Sequence, residues 1–123
     1  MGINVIDIID KLDHSSILDH RKDLLKPLKD YFIFKVKQKV EANFNFICTH
    51  NSRRSQLAQV WAKIISDYYG FTINSFSGGT EVTNCNPRTI ASFERMGFKV
   101  ENPGGENPHY ELTYHEKRRP IIV

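Results

Sequence analysis

The chain has 123 residues, of which 40% are hydrophobic and 25% charged, and its formal net charge is +3. This composition is typical of one soluble globular domain, and no apolar run approaches the ~20 residues that span a bilayer. We therefore expect no membrane partner, and without an aromatic-rich basic stripe we expect no nucleic acid. Two cysteines are too few for a disulfide scaffold, so we expect a cytoplasmic location.

Residues 1–42 are predicted to form an N-terminal helical extension. Residues 3–13 carry apolar and acidic side chains at helical spacing, and Ser15 or Ser16 is expected to cap a second helix. That second helix has an apolar face, and Pro27 is expected to start it or to kink it.

Residues 43–123 are predicted to form an α/β core. The elements are a strand over 44–48, a helix from 55 to 69, a strand over 71–76, a helix over 87–96 and short strands near 98–101, 109–114 and 120–123. In the first helix, Gln59, Lys63 and Asp67 are expected on the wet side. In the second, Asn86 is the predicted cap. The alternation of strand and helix predicts a parallel sheet with helices on its faces.

The segment between the first core strand and its helix carries the candidate chemistry. Cys48 ends the strand, and Arg54 and Ser55 open the helix. In parallel sheets ligands bind at this place, because the N-H groups of a helix N-terminus lack internal partners and attract anions. A guanidinium suits an oxyanion, and a thiol in such surroundings ionises readily. We therefore predict that Cys48 is a nucleophile aimed at an anion held by Arg54.

The intervening residues complete the predicted anion-binding segment. They supply backbone N-H groups, and they are Thr49, His50, Asn51, Ser52 and Arg53. Asn51 is expected to stabilise the loop, and Ser55 to donate to the Cys48 sulfur. Arg53 is expected to point about 100° away from Arg54 on the helix and to be solvated.

This pattern resembles the phosphate loop of the low-molecular-weight protein tyrosine phosphatases, and of the arsenate reductases that share their fold. The stretches SFSGGTE at 75–81 and NPRTIASFERMGF at 86–98 resemble the turn and helix that follow in that family. The resemblance covers about residues 43–102. It implies a flavodoxin-like doubly wound parallel sheet, to which the N-terminal helices are an addition.

Four departures from the family pattern stand out. About 42 residues precede the first core strand, and His50 replaces a glycine that is common in the loop. Arg53 stands where the family has a second loop cysteine. The only aspartate after Cys48 is Asp67, in the middle of a helix, whereas the family takes its general acid from a later Asp-Pro loop. We therefore expect the core to be truncated at its C-terminus, and the apolar final strand to form a dimer through its edge.

The resemblance leaves three functions open. The first is a cysteine-dependent phosphatase that forms a phosphocysteine and acts on a phosphotyrosine protein. The second is an arsenate reductase, in which Cys85 or an external thiol donor resolves the arsenic adduct. The third is a non-catalytic phosphate-binding module that lacks the general acid. In each case the ligand is a phosphate or arsenate-type oxyanion, and no cofactor or metal is expected.

Overall fold

A computed structural model describes residues 5–81, 84–115 and 118–123. The N-terminal region contains helix α1 at Val5–Asp10, a 3-10 turn at His14–Ser16 and helix α2 at Asp19–Lys37. The core contains strand β1 at Ala42–Cys48, helix α3 at Arg54–Tyr68, strand β2 at Ile73–Gly79 and helix α4 at Pro87–Arg95. Three short strands follow: β3 at Lys99–Glu101, β4 at Glu111–Thr113 and β5 at Ile121–Ile122.

The predicted α/β class is confirmed by the pairing of β1 with β2. These strands are parallel, with Ala42 opposite Ile73 and Cys48 opposite Gly79, and α3 makes the crossover between them. A helix between two parallel strands is the unit of flavodoxin-like folds. The carboxyl ends of both strands therefore meet at one edge of the sheet, beside the N-terminus of α3.

Strand β3 does not join the parallel sheet, although the alternation of strand and helix predicted that it would. It pairs with β4 in a separate antiparallel sheet, whose order is β3-β4-β5. The alternation of elements indicates how many strands exist but not which neighbour each one pairs with. Between the two sheets, the buried Gln59 side chain donates to the Ser75 carbonyl of β2 at 3.2 Å and to the Ile122 carbonyl of β5 at 2.7 Å.

The helical spacing predicted that Gln59 and Asp67 face solvent on α3, but neither side chain does so. Gln59 is 4% exposed and its side-chain oxygen accepts from the Ser77 hydroxyl at 2.6 Å. The Asp67 side chain is 10% exposed, pairs with Lys63 and accepts from the Tyr114 hydroxyl. The prediction was wrong because α3 is covered on two sides, by the parallel sheet and by the C-terminal strands.

The main core joins α3 to α1, α4 and the antiparallel sheet. It consists of Val5, Ile9, Val60, Ile64, Phe93, Phe98, Leu112, Ile121 and Val123. Helix α1 is thus part of this core, although it belongs to the predicted extension. The division at residue 42 stays a prediction.

The second helix starts and runs differently from the sequence prediction. Ser15 and Ser16 lie in the 3-10 turn, where Asp13 accepts from the Ser15 backbone N-H, and α2 begins only at Asp19. The helix then continues through Pro27 to Lys37. Much of its apolar face is exposed, including Leu24 at 72%. Its contact with the sheet is aromatic, since Tyr31 and Phe32 pack on Phe44 with ring centroids 5.6 and 6.1 Å apart.

The fourth helix matches its prediction closely. Asn86 caps it by accepting from the Arg88 N-H at 2.9 Å, and Pro87 opens it. Gly97, just beyond the end, has a φ of 103°, which glycine adopts without strain.

The outer edge of β5 is where the sequence predicts a dimer. In the described part of the chain, the Ile122 carbonyl on this edge is taken by the Gln59 amide. Dimerisation through the edge stays a prediction. No helix among the described residues has the length and apolar content to cross a bilayer.

The core assignment can be tested by removing one large side chain. Phe93 is completely buried, so Phe93→Ala should lower the free energy of unfolding by about 3–5 kcal/mol. Phe76 is 55% exposed and provides the matched control, for which we expect a loss below about 1 kcal/mol. Urea denaturation followed by circular dichroism measures both. Equal losses for the two variants would contradict this core.

Candidate active site

Cys48 lies at the carboxyl end of β1, half-buried, and the chain turns over residues 49–53 before α3 begins at Arg54. The Cys48 sulfur is 3.1 Å from the Ser55 hydroxyl oxygen, and Ser55 is 3% exposed. The Ser55 hydroxyl in turn donates to the Asn51 side-chain oxygen at 2.8 Å. The structure therefore brings Cys48, Asn51 and Ser55 together. The contact between Cys48 and Ser55 is the predicted one, whereas the Asn51 side-chain oxygen contacts the Ser55 hydroxyl, which was not predicted.

These contacts change the acidity of the thiol. The hydrogen bond from the Ser55 hydroxyl lowers the pKa of Cys48 to about 6, with smaller contributions from the backbone N-H groups of Ser55, Asn51 and His50. Burial acts in the opposite direction. An unperturbed thiol has a pKa of about 8.5, so Cys48 is mainly a thiolate at neutral pH. The sequence argument attributed this effect to Arg54 and the helix dipole, whereas the structure attributes it chiefly to Ser55.

Ser55 has one hydroxyl proton and two neighbours that can accept it. When Cys48 is a thiol, its proton can go to the Ser55 oxygen while Ser55 donates to Asn51. When Cys48 is ionised, the Ser55 proton turns to the sulfur, because hydrogen bonds to charged groups are the stronger ones. Ionisation therefore exchanges the hydrogen bond from Ser55 to the Asn51 oxygen for one from Ser55 to the sulfur, because the Asn51 side-chain oxygen can only accept.

Asn51 holds the loop in a conformation that few residue types tolerate. Its φ is 47°, in the left-handed region where asparagine is enriched, and its carbonyl accepts from the Gln56 side-chain amide at 2.7 Å. Gln56 is 3% exposed. Sequence reasoning missed it, since a glutamine in the first turn of a helix gives no pattern that distinguishes a buried amide from a solvated one.

The segment after β2 holds the first residues of the loop in place. The Thr80 N-H donates to the Cys48 carbonyl at 3.2 Å, and the Glu81 N-H donates to the Thr49 carbonyl at 3.0 Å. Gly79 lies so close that a Cβ atom there would be 2.9 Å from the Asn51 backbone nitrogen. The glycine-rich turn therefore serves to let two backbones approach.

The start of α4 holds the later part of the loop, at Ser52. The Ser52 carbonyl accepts from the Asn86 N-H at 3.2 Å and from the Thr89 hydroxyl at 2.9 Å. Thr89 is 4% exposed and was not among the predicted site residues. The loop is thus held from both sides without a glycine or proline of its own.

A cavity of about 270 Å³ opens over the thiol. It is lined by Cys48, His50, Ser52, Arg53 and Arg54. Both arginines line it, although Arg53 was expected to point away from Arg54. That expectation assumed helical geometry, whereas Arg53 precedes the helix and has a φ of -139°. Two larger cavities, of about 560 and 330 Å³, lie elsewhere and do not include the thiol. Thr49 is exposed and contributes its carbonyl to the contact with Glu81.

The second cysteine lies on the buried side of the same loop. The Cys85 thiol donates to the Gln56 side-chain oxygen at 2.6 Å, and its sulfur is 3.9 Å from the Ser52 carbonyl. Burial raises the pKa of Cys85 to about 11, so it stays protonated at neutral pH. Hydrogen bonds through Gln56, Asn51 and Ser55 connect it to Cys48. The two thiols therefore differ sharply in reactivity, because only a thiolate is a good nucleophile.

Asp67 is the only aspartate after Cys48, and it lies in the last turn of α3. It lies thirteen positions after Arg54 in the helix, which is about 20 Å along the axis. It is therefore too distant to exchange a proton with a ligand at Cys48. Among residues 5–81, 84–115 and 118–123, no group of three or more His, Cys, Asp or Glu side chains is placed to hold a metal ion.

The acidity of Cys48 can be measured directly. The rate of alkylation by iodoacetamide should rise with pH through a midpoint at about 6, since the thiolate is the reactive form. Ser55→Ala removes the main cause of the shift and should move the midpoint towards about 8.5. Mass spectrometry identifies the labelled cysteine, and Cys85 should label slowly throughout. An unchanged midpoint in Ser55→Ala would show that other groups ionise the thiol.

The close approach at the glycine turn gives a second test. Gly79→Ala would force Asn51 and Thr49 to move, and should raise the alkylation midpoint of Cys48 by disturbing the loop. Gly78→Ala is the matched control, because a Cβ there meets its nearest atom at an ordinary 3.7 Å. If both variants titrate like the wild-type chain, the loop does not depend on this contact.

Comparison with known proteins supports the resemblance that the loop predicted. The chain is 41% identical over 58 residues to an arsenate reductase of Staphylococcus aureus, a match that covers 46% of this chain and 41% of that protein. It is 37% identical over 57 residues to an arsenate reductase of Brevibacillus brevis and 39% identical over 57 residues to one of Bacillus cereus, with 46% of this chain and 40% of each relative covered. The match thus spans less than half of the relatives' length. No family model and no solved structure matches the chain.

Proposed function

Since the resemblance to the family of low-molecular-weight protein tyrosine phosphatases and arsenate reductases is confirmed, we propose that this chain carries the oxyanion-reducing site of an arsenate reductase. The observation that carries the proposal is the Cys48–Ser55–Asn51 hydrogen-bond network, which ionises a thiol beneath a cavity lined by two arginines. The similarity to enzymes named arsenate reductase favours arsenate over phosphate esters.

In the proposed reaction the Cys48 thiolate attacks the arsenic of bound hydrogen arsenate. A sulfur–arsenic bond forms, an arsenic–oxygen bond breaks and hydroxide leaves. Arg53 and Arg54 in the cavity, together with backbone N-H groups of the loop, hold the remaining oxygens and stabilise the charge in the transition state. Preorganised donors of this kind each contribute about 10²–10³-fold to the rate.

Reduction of the adduct then needs a second thiol. A thiolate attacks the Cys48 sulfur, a disulfide forms, and the sulfur–arsenic electron pair leaves with arsenic as arsenite. Cys85 is unsuited to this step, because it is buried, protonated and bonded to Gln56. We therefore propose an external thiol donor, which also reduces the resulting mixed disulfide with a second thiol equivalent.

A phosphatase is the second candidate, and it is favoured by the unsuitability of Cys85 as a resolving thiol. Phosphoryl transfer needs only one thiol: Cys48 attacks phosphorus, the alcohol leaves, and water hydrolyses the phosphocysteine. The described site supplies that one thiol and an oxyanion cavity. A module that binds phosphate without turnover is the third possibility, and the experiment below separates the three.

Turnover of arsenate is the decisive measurement. The wild-type chain, given arsenate and either glutathione or a thioredoxin system, should form arsenite, and Cys48→Ser should abolish the reaction. The matched substitution Cys85→Ser keeps a donor to Gln56 and should retain turnover within a few-fold. p-Nitrophenyl phosphate is assayed in parallel as a phosphatase substrate.

Each alternative has its own result. Hydrolysis of p-nitrophenyl phosphate with no arsenite formation would establish the phosphatase instead. If phosphate or arsenate protects Cys48 from alkylation and neither arsenate nor p-nitrophenyl phosphate is turned over, the chain is a binding module. Loss of arsenite formation in Cys85→Ser, with the Cys48 alkylation midpoint unchanged, would make Cys85 the resolving thiol.

A further inference from the structure

The loop histidine pairs with a glutamate from the segment that follows β2, and no role has so far been assigned to this pair. The His50 Nδ1 atom is 3.3 Å from a Glu81 carboxylate oxygen, and His50 lines the same cavity as Cys48. Glu81 is brought there by its own backbone, whose N-H donates to the Thr49 carbonyl at 3.0 Å. The contact that closes the loop therefore also places the carboxylate beside the imidazole.

We propose that His50, oriented by Glu81, donates the proton to the oxygen that leaves arsenate when Cys48 attacks. This inference rests on the function proposed above and assigns a residue to its first step. Imidazole is the side chain best suited to exchange protons near neutral pH. Asp67 is too distant for this role, because it lies at the far end of α3.

The pair contributes little to the stability of the fold. The side chains of His50 and Glu81 are 56% and 61% exposed, and ion pairs so exposed are typically worth about 0–1 kcal/mol. What the carboxylate adds is orientation. A carboxylate beside Nδ1 keeps a proton on that nitrogen, so the proton that can be transferred is on Nε2, as in other histidine–carboxylate pairs.

His50 lies among charges of both signs. Arg53 and Arg54 line the cavity beside it, and Glu81 and the Cys48 thiolate supply negative charge. A bound arsenate dianion adds negative charge beside the ring.

The proton balance of the step is complete. Cys48 thiolate and hydrogen arsenate form the sulfur–arsenic bond, and the arsenic–oxygen bond breaks with its electron pair on the departing hydroxide. The Nε2 proton of the imidazolium converts that hydroxide to water. His50 is left neutral and regains a proton from solvent before the next turnover.

The test compares His50→Gln and Glu81→Gln with the wild-type chain. Each variant is assayed for arsenite formation against pH with a saturating thiol donor. His50→Gln should lower kcat by about 10²-fold or more, with little change in the KM for arsenate. Wild-type activity should fall at low pH, where Cys48 becomes protonated. The pH profile of kcat should differ between the wild-type chain and His50→Gln, because glutamine cannot donate a proton at any pH.

Glu81→Gln keeps the imidazole but removes the charge that orients it. It should lower kcat by less than His50→Gln does and leave the KM for arsenate little changed, since the imidazole is still present but is no longer oriented by the carboxylate. His109→Gln and Glu106→Gln are matched exposed controls outside the site and should behave like the wild-type chain.

Two further measurements separate a chemical effect from a structural one. The backbone N-H of residue 50 is kept in every variant, so the alkylation midpoint of Cys48 should stay at about 6. Arsenate should still protect Cys48 from alkylation in His50→Gln. A wild-type rate and pH profile in His50→Gln would overturn the proton-donor role and leave the proposed function intact. A wild-type chain that neither reduces arsenate nor binds it at Cys48 would overturn both.

Discussion

The hydrogen bond between the Cys48 sulfur and the Ser55 hydroxyl is the interaction on which the site depends. It joins the last residue of a strand to the first turn of a helix, across a loop that has no glycine or proline. It also keeps the thiol ionised at neutral pH. The same contact thus shapes the loop and activates the nucleophile, so a change that loosens one should weaken the other.

Four sets of contacts with the rest of the fold hold the loop that carries this hydrogen bond. The parallel pairing of β1 with β2 brings Gly79 against Asn51, and the turn after β2 bonds the outer carbonyls of the loop. The start of α4 bonds the Ser52 carbonyl, and Gln56 bonds the Asn51 carbonyl. Most of these bonds use backbone groups. The loop can therefore present its side chains and its remaining N-H groups to a ligand.

Local features of this chain could be predicted from its sequence, whereas long-range ones could not. Cys48, Asn51 and Ser55 were found because loop, strand end and helix start are neighbours along the chain. The Asn86 cap was found for the same reason. Gln56 was missed because a polar residue in a helix normally faces water, and only the tertiary structure covers it. The predicted pairing of β3 was wrong, because the spacing of elements along the chain carries no information on the partner or the direction of a strand.

Gln59 has one further consequence for the molecule as a whole. Its single buried amide touches both sheets, since it bonds backbone carbonyls of β2 and β5 and a hydroxyl on β2. Separating the sheets would strip this amide, which is 4% exposed, of a partner, and unmet buried polar groups are costly. The two halves of the chain should consequently open together rather than one after the other.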